Sequence, residues 1–527
     1  MPATVPPTSR PLPRRQARPA AKADRVTVRT RSTRVLERSF ARQDPGVSAG
    51  SRSGRAGSTR GAAGCPITLS VTDGGLRIVT EQVPGVRSVA VGIWVGVGSV
   101  DERPQLAGTS HFLEHLLFKG TSHRSGAEIA AEMDAIGGEF NAFTSHEYTC
   151  YYTHVLAEHA ELAIDVVSDV VLDATVAGSD VEVERQVILE EIAMRDDDPE
   201  DTLADVFAES VYAPHPVAAP VIGNVRSIEA LRRNQIAGYY HRRYTPDKMV
   251  VAVAGDIDHA DVVRWVKHAF AGRLHGSAGP QPPRGRTGLV LPQRALRVVE
   301  RDSEQAHLMV GAPALPRDDP RRYALAVLTT ALGGGMSSRL FQRVREQYGL
   351  AYSCYAGSHS YADAGAFSVY AGCQPGNLDQ VSRLIHSELA ELATGGVSDD
   401  EVQRAIGQLT GSLVLGLEDT ESRMSRIGRN IMVRKKFQTV DDELAGIRGV
   451  RAEQVNELAA ALLAQPLSVA VVGPYSSQRS LPAGVRALAG ARASDGPDGS
   501  ATARSGHTGA GGSARSAAHH RGAGSRP

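Results

Sequence analysis

The sequence predicts an α+β fold made of two homologous halves, each a layer of helices on a mainly antiparallel sheet. Three observations predict it. The apolar run MVVAVAGD at 249–256 returns as LSVAVVGP at 467–474, about 218 positions later. Upstream of each run the same elements recur in the same order: VAVGIWVGVGS (89–99) leads to a helix around 105–118, and AHLMVGAPA (306–314) to a helix around 320–333. AFTSHEYTCYYTHV (142–155) and GAFSVYAGC (365–373) then read as strands, and each precedes an apolar-periodic helix, ELAIDVVSDVVL (161–172) and LDQVSRLIHSELAELA (378–393). The halves span 66–275 and 289–476, joined by the Pro/Gly linker GSAGPQPPRGRTG at 276–288. Residues 1–64, rich in Arg, Pro, Ser and Gly without apolar periodicity, read as a disordered basic extension, and 485–527 as a disordered Gly/Ala/Ser/Arg-rich tail.

Composition narrows the function classes. The chain has 527 residues, 42% of them apolar, enough for several cores. Formal net charge is zero, but residues 1–64 carry 14 Lys/Arg against 3 Asp/Glu, and 477–527 carry 7 Arg against 2 Asp. The stretch between holds 37 basic and 53 acidic residues, a net of −16. An acidic core suits a basic or unfolded peptide better than nucleic acid. The basic ends lack interleaved aromatics for base stacking, so no nucleic-acid partner is expected. The four cysteines, Cys65, Cys150, Cys354 and Cys373, show no CxxC spacing and are too few for a secreted disulfide framework. No apolar stretch reaches 18 residues, and none precedes the lipid-attachment look-alike GAAGC ending at Cys65. The expectation is a cytoplasmic protein without a membrane partner. The Arg-rich leader also fits an organelle-targeting segment, although its early prolines break any amphipathic helix.

The strongest local signal is HFLEH at 111–115. On a helix His111 and His115 lie one turn apart on one face, with Glu114 beside them. Two imidazoles at that spacing suit zinc, and a carboxylate in the intervening turn can reach a metal-bound water. This order, H-x-x-E-H, inverts the common zinc-peptidase motif. Alone, the five residues also fit a helix with two hydrogen-bonded histidines and a solvated glutamate. A catalytic zinc needs a third protein ligand. The segment SDVEVERQVILEEIAMRDDD (179–198) supplies carboxylates on a second helix. Glu184 and Glu191, seven residues apart, share a face to within about 20°, whereas Glu190 points about 100° away. Glu191 therefore fits as third ligand with Glu184 behind it, and Val187 and Ile188 between them are expected to anchor the helix on a core. Cys150 and His154 share a strand face but are weaker metal candidates. His123, His146, His159, His215 and His241 read as structural or surface residues.

The segments GTSHFLEHLLFKGT (108–121), NAFTSHEYTCYY (141–152) and ERQVILEE (184–191) together closely resemble the pitrilysin-type inverted-motif zinc peptidases. The nearest branch resembles the mitochondrial processing peptidase and its bacterial relatives. The resemblance covers about residues 66–476 and implies a zinc-dependent metalloendopeptidase with one Zn2+ per chain. It implies His111, His115 and Glu191 as metal ligands, Glu114 as catalytic base and Glu184 as the acidic residue supporting the site. It also places Arg345 and Tyr352, from LGGGMSSRLFQRVREQYGLAYS (332–353), near the peptide, Arg345 binding substrate and Tyr352 catalytic. That segment lacks the Lys-Ser/Thr of a phosphate loop. Asn141 and Ala142 open a strand that would take an extended peptide by β-addition. Relatives of this length pair two chains into a clamshell-type dimer, so a homodimer or pairing with a related chain is expected, enclosing short or unfolded peptides. The rival reading is a non-catalytic scaffold subunit of the same fold, but such scaffolds typically lose part of the motif, which is intact here.

Overall fold

The computed structural model describes residues 38–39, 66–274, 279–282, 284 and 290–490. Twelve strands lie among them. The first seven are β1 (Arg38–Ser39), β2 (Ile67–Val71), β3 (Arg77–Gln82), β4 (Ser88–Val95), β5 (Glu139–Thr144), β6 (Thr149–Leu156) and β7 (Met249–Gly255). They form one sheet in the order β1-β2-β3-β7-β4-β6-β5. The other five are β8 (Ala295–Glu300), β9 (Ala306–Pro313), β10 (Ala351–Ser360), β11 (Gly365–Cys373) and β12 (Ser468–Gly473), in the order β10-β11-β9-β12-β8. From β3 onward the two orders are the same. In each half the last strand runs parallel to one neighbour, β7 to β3 and β12 to β8, and every other pairing is antiparallel.

The unbroken apolar runs have a physical reason: both central strands are covered on two sides. In β7, Val251 and Val253 join a core with Phe112, Leu116 and Val167, while Val250, Ala252 and Ala254 face the opposite layer. In β12, Val469 and Val471 join one core, and Ala470 and Val472 the other. The covers of the second faces come from the opposite halves. Helix Thr420–Val433, far downstream in sequence, lays Met424, Ile427 and Met432 on Val79, Ala90, Trp94 and Val250 of the first sheet. Helix Pro199–Tyr212 lays Leu203, Phe207 and Val211 on Met309, Ala366, Ala470 and Val472 of the second. Ionic bonds flank these layers: Glu81 on β3 takes guanidiniums from both Arg423 and Arg426, and Glu147 is bound by Arg317. This exchange has no counterpart in the sequence-based expectation, because each helix leaves the sheet of its own half and packs on that of the other.

The motif helix Thr109–Leu117 is held at three points. Phe112, Leu113, Leu116 and Leu117 are buried in the first core. At its start Gly108 adopts φ 89°, a left-handed conformation that favours glycine. The Glu102 carboxylate accepts the free Gly108 and Ser110 amides at 2.7 and 2.6 Å, so an acid sits on the positive end of the helix.

Several expectations change. The second half extends past 476: helix Ala483–Leu488 buries Val485 and Leu488 in the second core with Leu481, whose i, i+4, i+7 spacing is masked by surrounding Gly, Ala and Arg. Of the linker, Gln281 bonds Asp247 and Arg284 bonds Asp101. The predicted disordered extension and tail lie outside the described residues, apart from Arg38–Ser39, which pairs with β2, and residues 485–490. Among the described residues, no helix is long and apolar enough to cross a membrane.

Two outcomes test this packing. A Cβ at Gly428 would overlap the buried Trp94 indole, so Gly428→Leu should cost about 2–3 kcal/mol, read as a lower urea midpoint. Glu102→Ala should cost about 1–2 kcal/mol by leaving the two helix amides uncapped, measured by the same titration.

Candidate metal centre

With the apolar side of the motif helix buried, His111, Glu114 and His115 project from its other side, each half-buried. Facing them is helix Gly178–Asp197, seated by Val181, Ile188 and Ile192. Val187, expected beside Ile188 in the core, is instead 41% exposed, because it falls one helical position off the buried stripe. Glu190 is exposed, as its angle requires.

Three ligand atoms converge. His111 Nε2 and His115 Nε2 lie 3.8 and 3.6 Å from Glu191 Oε2. Such separations are too long for hydrogen bonds and close to the roughly 3.4 Å between ligands set tetrahedrally about 2.0–2.1 Å from zinc. His111, His115 and Glu191 form one of three groups among the described residues with the spacing to hold a metal. The other ring nitrogen of His115, Nδ1, lies 3.2 Å from Glu184 Oε2, which orients the ring with Nε2 toward Glu191. Glu184 is 3% exposed, and Lys119 Nζ at 2.6 Å neutralises its other oxygen. His111 Nδ1 is buried without a hydrogen-bond partner. Burial, with His115 and Arg195 nearby, pushes the His111 pKa down to about 4, so the ring is neutral at pH 7, as a metal ligand must be.

Glu114 accepts a 2.5 Å bond from Thr144 Oγ1 at the end of β5. Burial raises its pKa, with Thr144 opposing the rise. Thus β5, which pairs only with β6, ends beside the glutamate. Asn141 and Ala142 lie on that edge strand, and Asn141 Oδ1 accepts the Ala142 amide at 2.8 Å. Arg345 and Tyr352 form their own pair in the second half. Arg345 sits 4.6 Å from the Tyr352 ring centroid and donates to the Tyr352 carbonyl at 3.1 Å. Tyr352 is 77% exposed on β10, the edge of its sheet. No hydrogen bond or ion pair among the described residues joins this pair to the histidines.

Sequence reasoning missed Thr144, Lys119 and Glu102. Lys119 was detectable four positions beyond His115, and Thr144 at the end of the edge strand. Glu102 precedes the helix in an irregular segment and gave no periodic signal. Of the weaker candidates, Cys150 packs among apolar side chains beside Trp94, and His154 bonds Thr420 Oγ1 at 3.0 Å. His154 also shares a potential ligand group with Glu139 and Glu421, to which Cys150 does not contribute. His215 is buried and lies 3.2 Å from Asp363.

Comparison with known proteins identifies the lineage. Residues 77–225 match the family model described as insulinase (peptidase family M16), and 230–409 match the model described as the peptidase M16 inactive domain. The chain is 51% identical to an uncharacterized zinc protease of Mycobacterium tuberculosis strain H37Rv over 417 residues, 79% of this chain and 95% of that one. It is 40% identical to an uncharacterized zinc protease of Bacillus subtilis strain 168 over 412 residues, 77% and 98% of the two chains. A protease from Helicobacter pylori superposes with TM-score 0.71 at 20% identity, over 77% of this chain and 99% of that chain. A peptidase M16 inactive domain from Pseudomonas fluorescens superposes with TM-score 0.70 at 19% identity, over 78% and 98%. The structural matches share the fold; the sequence matches, running nearly end to end through the relatives, show that the chain belongs to the M16 (insulinase) peptidase family.

Proposed function

We propose that this chain is a zinc metalloendopeptidase, closest to the processing-peptidase-like branch of its family, that hydrolyses short or unfolded peptides. The observation that carries the reading is the convergence of His111, His115 and Glu191 beside Glu114. The donor set fits zinc: two neutral imidazoles and a carboxylate at tetrahedral-like spacing, with Glu184 and Lys119 bracing one imidazole. Bound there, zinc would lower the pKa of a water and polarise the scissile carbonyl.

The chain's own residues supply the remaining chemistry. Glu114 takes a proton from the attacking water and returns it to the leaving amine nitrogen. Its raised pKa helps the first step, since a more basic carboxylate takes the proton from water more readily. The open edge of β5 pairs with the main chain of an extended peptide, carrying it past Glu114. In this reading Arg345 grips a substrate carbonyl, and the Tyr352 hydroxyl donates to the carbonyl oxygen as charge develops on it. Both act on bound peptide, which fits the exposure of Tyr352. Two such chains, as a homodimer or with a related chain, would form a chamber restricted to flexible substrates.

Glu114→Gln should keep one zinc per chain by metal analysis while lowering kcat/KM about 10²–10⁴-fold; wild-type turnover would refute its role. A chelator should abolish peptide hydrolysis and added zinc restore it, whereas a scaffold subunit would show none to lose. Tyr352→Phe should lower kcat about 10²-fold with little change in KM, measured on a quenched fluorescent peptide.

A further inference from the structure

Where the two halves and the linker meet lies a half-open cavity of about 160 Å3, lined by side chains of unusual charge. Arg77, Arg243, Lys248, Arg284 and Arg317 face it, against only two carboxylates, Asp101 and Glu147. Those two are already committed. Asp101 is shared by Arg243 and Arg284, and Glu147 is bound by Arg317 and by the Ala362 amide at 2.9 Å. Arg77 and Lys248 have no carboxylate within ion-pair distance among the described residues.

Arg77 is the unusual member. It is 6% exposed, yet its guanidinium makes only two long bonds, 3.4 Å each, to the carbonyls of Met249 and Ile431. Burial pulls its pKa down to about 10, and the Asp247 carboxylate nearby, beyond ion-pair distance, offsets this only in part. The Nε atoms of Arg284 and Arg317 are likewise buried without acceptors. Uncompensated buried charge is costly unless a counter-charge is present. A buried, weakly bonded guanidinium and an ammonium without an ion pair, beside a space large enough for a tetrahedral oxyanion, describe a site for such an ion.

We propose that this cavity binds a free phosphate-class oxyanion, held chiefly by Arg77 and Lys248 and supported by Arg284 and Arg317. The ion would join β3 of the first half, the linker and the segment after β9 of the second half, so it acts as a fastener between them. The site is separate from the histidine cluster and does not depend on the reading of that cluster.

Titration calorimetry of the full chain with inorganic phosphate, at constant ionic strength, tests this. The expected result is saturable binding of one ion per chain, equal with and without a zinc chelator, and competed by sulfate. Arg77→Met should weaken it by about tenfold or more, as loss of a charged donor predicts. Lys248→Met, at a less buried position, should also weaken it and serves if Arg77→Met does not fold. The proposal is overturned by the absence of saturable binding, by binding seen only in the zinc-loaded chain, or by undiminished binding in the folded variants. It is also overturned if a nucleoside monophosphate binds and inorganic phosphate does not.

Discussion

Each sheet of this chain has an apolar face that its own half leaves bare, and the structure depends on how that face is covered. Val79, Ala90, Trp94 and Val250 on one sheet, and Met309, Ala366 and Val472 on the other, would be exposed in an isolated half. Contiguous apolar surface of that kind does not persist in water. Helices Thr420–Val433 and Pro199–Tyr212 cover these faces reciprocally, so the stability of each half is partly encoded in the other. Close approach is possible because Gly428 and Gly92 leave room for the Trp94 indole and for Met424. The charged groups flanking the layers, Glu81 with two arginines and Glu147 with Arg317, fix the register of a contact that apolar packing alone would leave free to slide.

The metal centre inherits this rigidity. Its two helices rest on the same core, the first pinned at its start by Glu102 and the second by Ile188 and Ile192. Charge is balanced locally: Lys119 offsets Glu184, Glu184 orients His115, and burial keeps His111 neutral. The ligand atoms are therefore held close by the packing and charge pairing of the chain itself, which is the preorganisation that a fixed coordination geometry requires.

What was legible in the sequence was periodic or local. The runs at 249–256 and 467–474 stood out because doubly covered strands need apolar residues at every position. His111, Glu114 and His115 were legible because helical spacing fixes which residues share a face, and the same rule selected Glu191 over Glu190. The helix exchange left no such trace, since nothing in a local window records that Met424 meets Ala90. Val187 is exposed because it lies about 100° round the helix from Ile188, off the stripe set by Val181, Ile188 and Ile192. Leu481, Val485 and Leu488 keep a helical spacing that the Gly- and Ala-rich composition around them hides.

The equivalent strands β5 and β10 each end their sheet with an unpaired edge. Unpaired edges ordinarily invite other chains to add on, a hazard that proteins blunt with charge, twist or cover. In β5 the hazard and the proposed use coincide: whatever extended chain adds there comes to lie beside Glu114. The edge of β10 carries Tyr352 and Tyr355, both exposed, and the glutamate beside it, Glu200, accepts the Tyr355 hydroxyl at 2.8 Å and belongs to none of the potential metal-ligand groups among the described residues. The two halves thus present two open borders in different surroundings, one running past the metal-ligand cluster and the other displaying tyrosines that the proposed reading turns toward the same peptide.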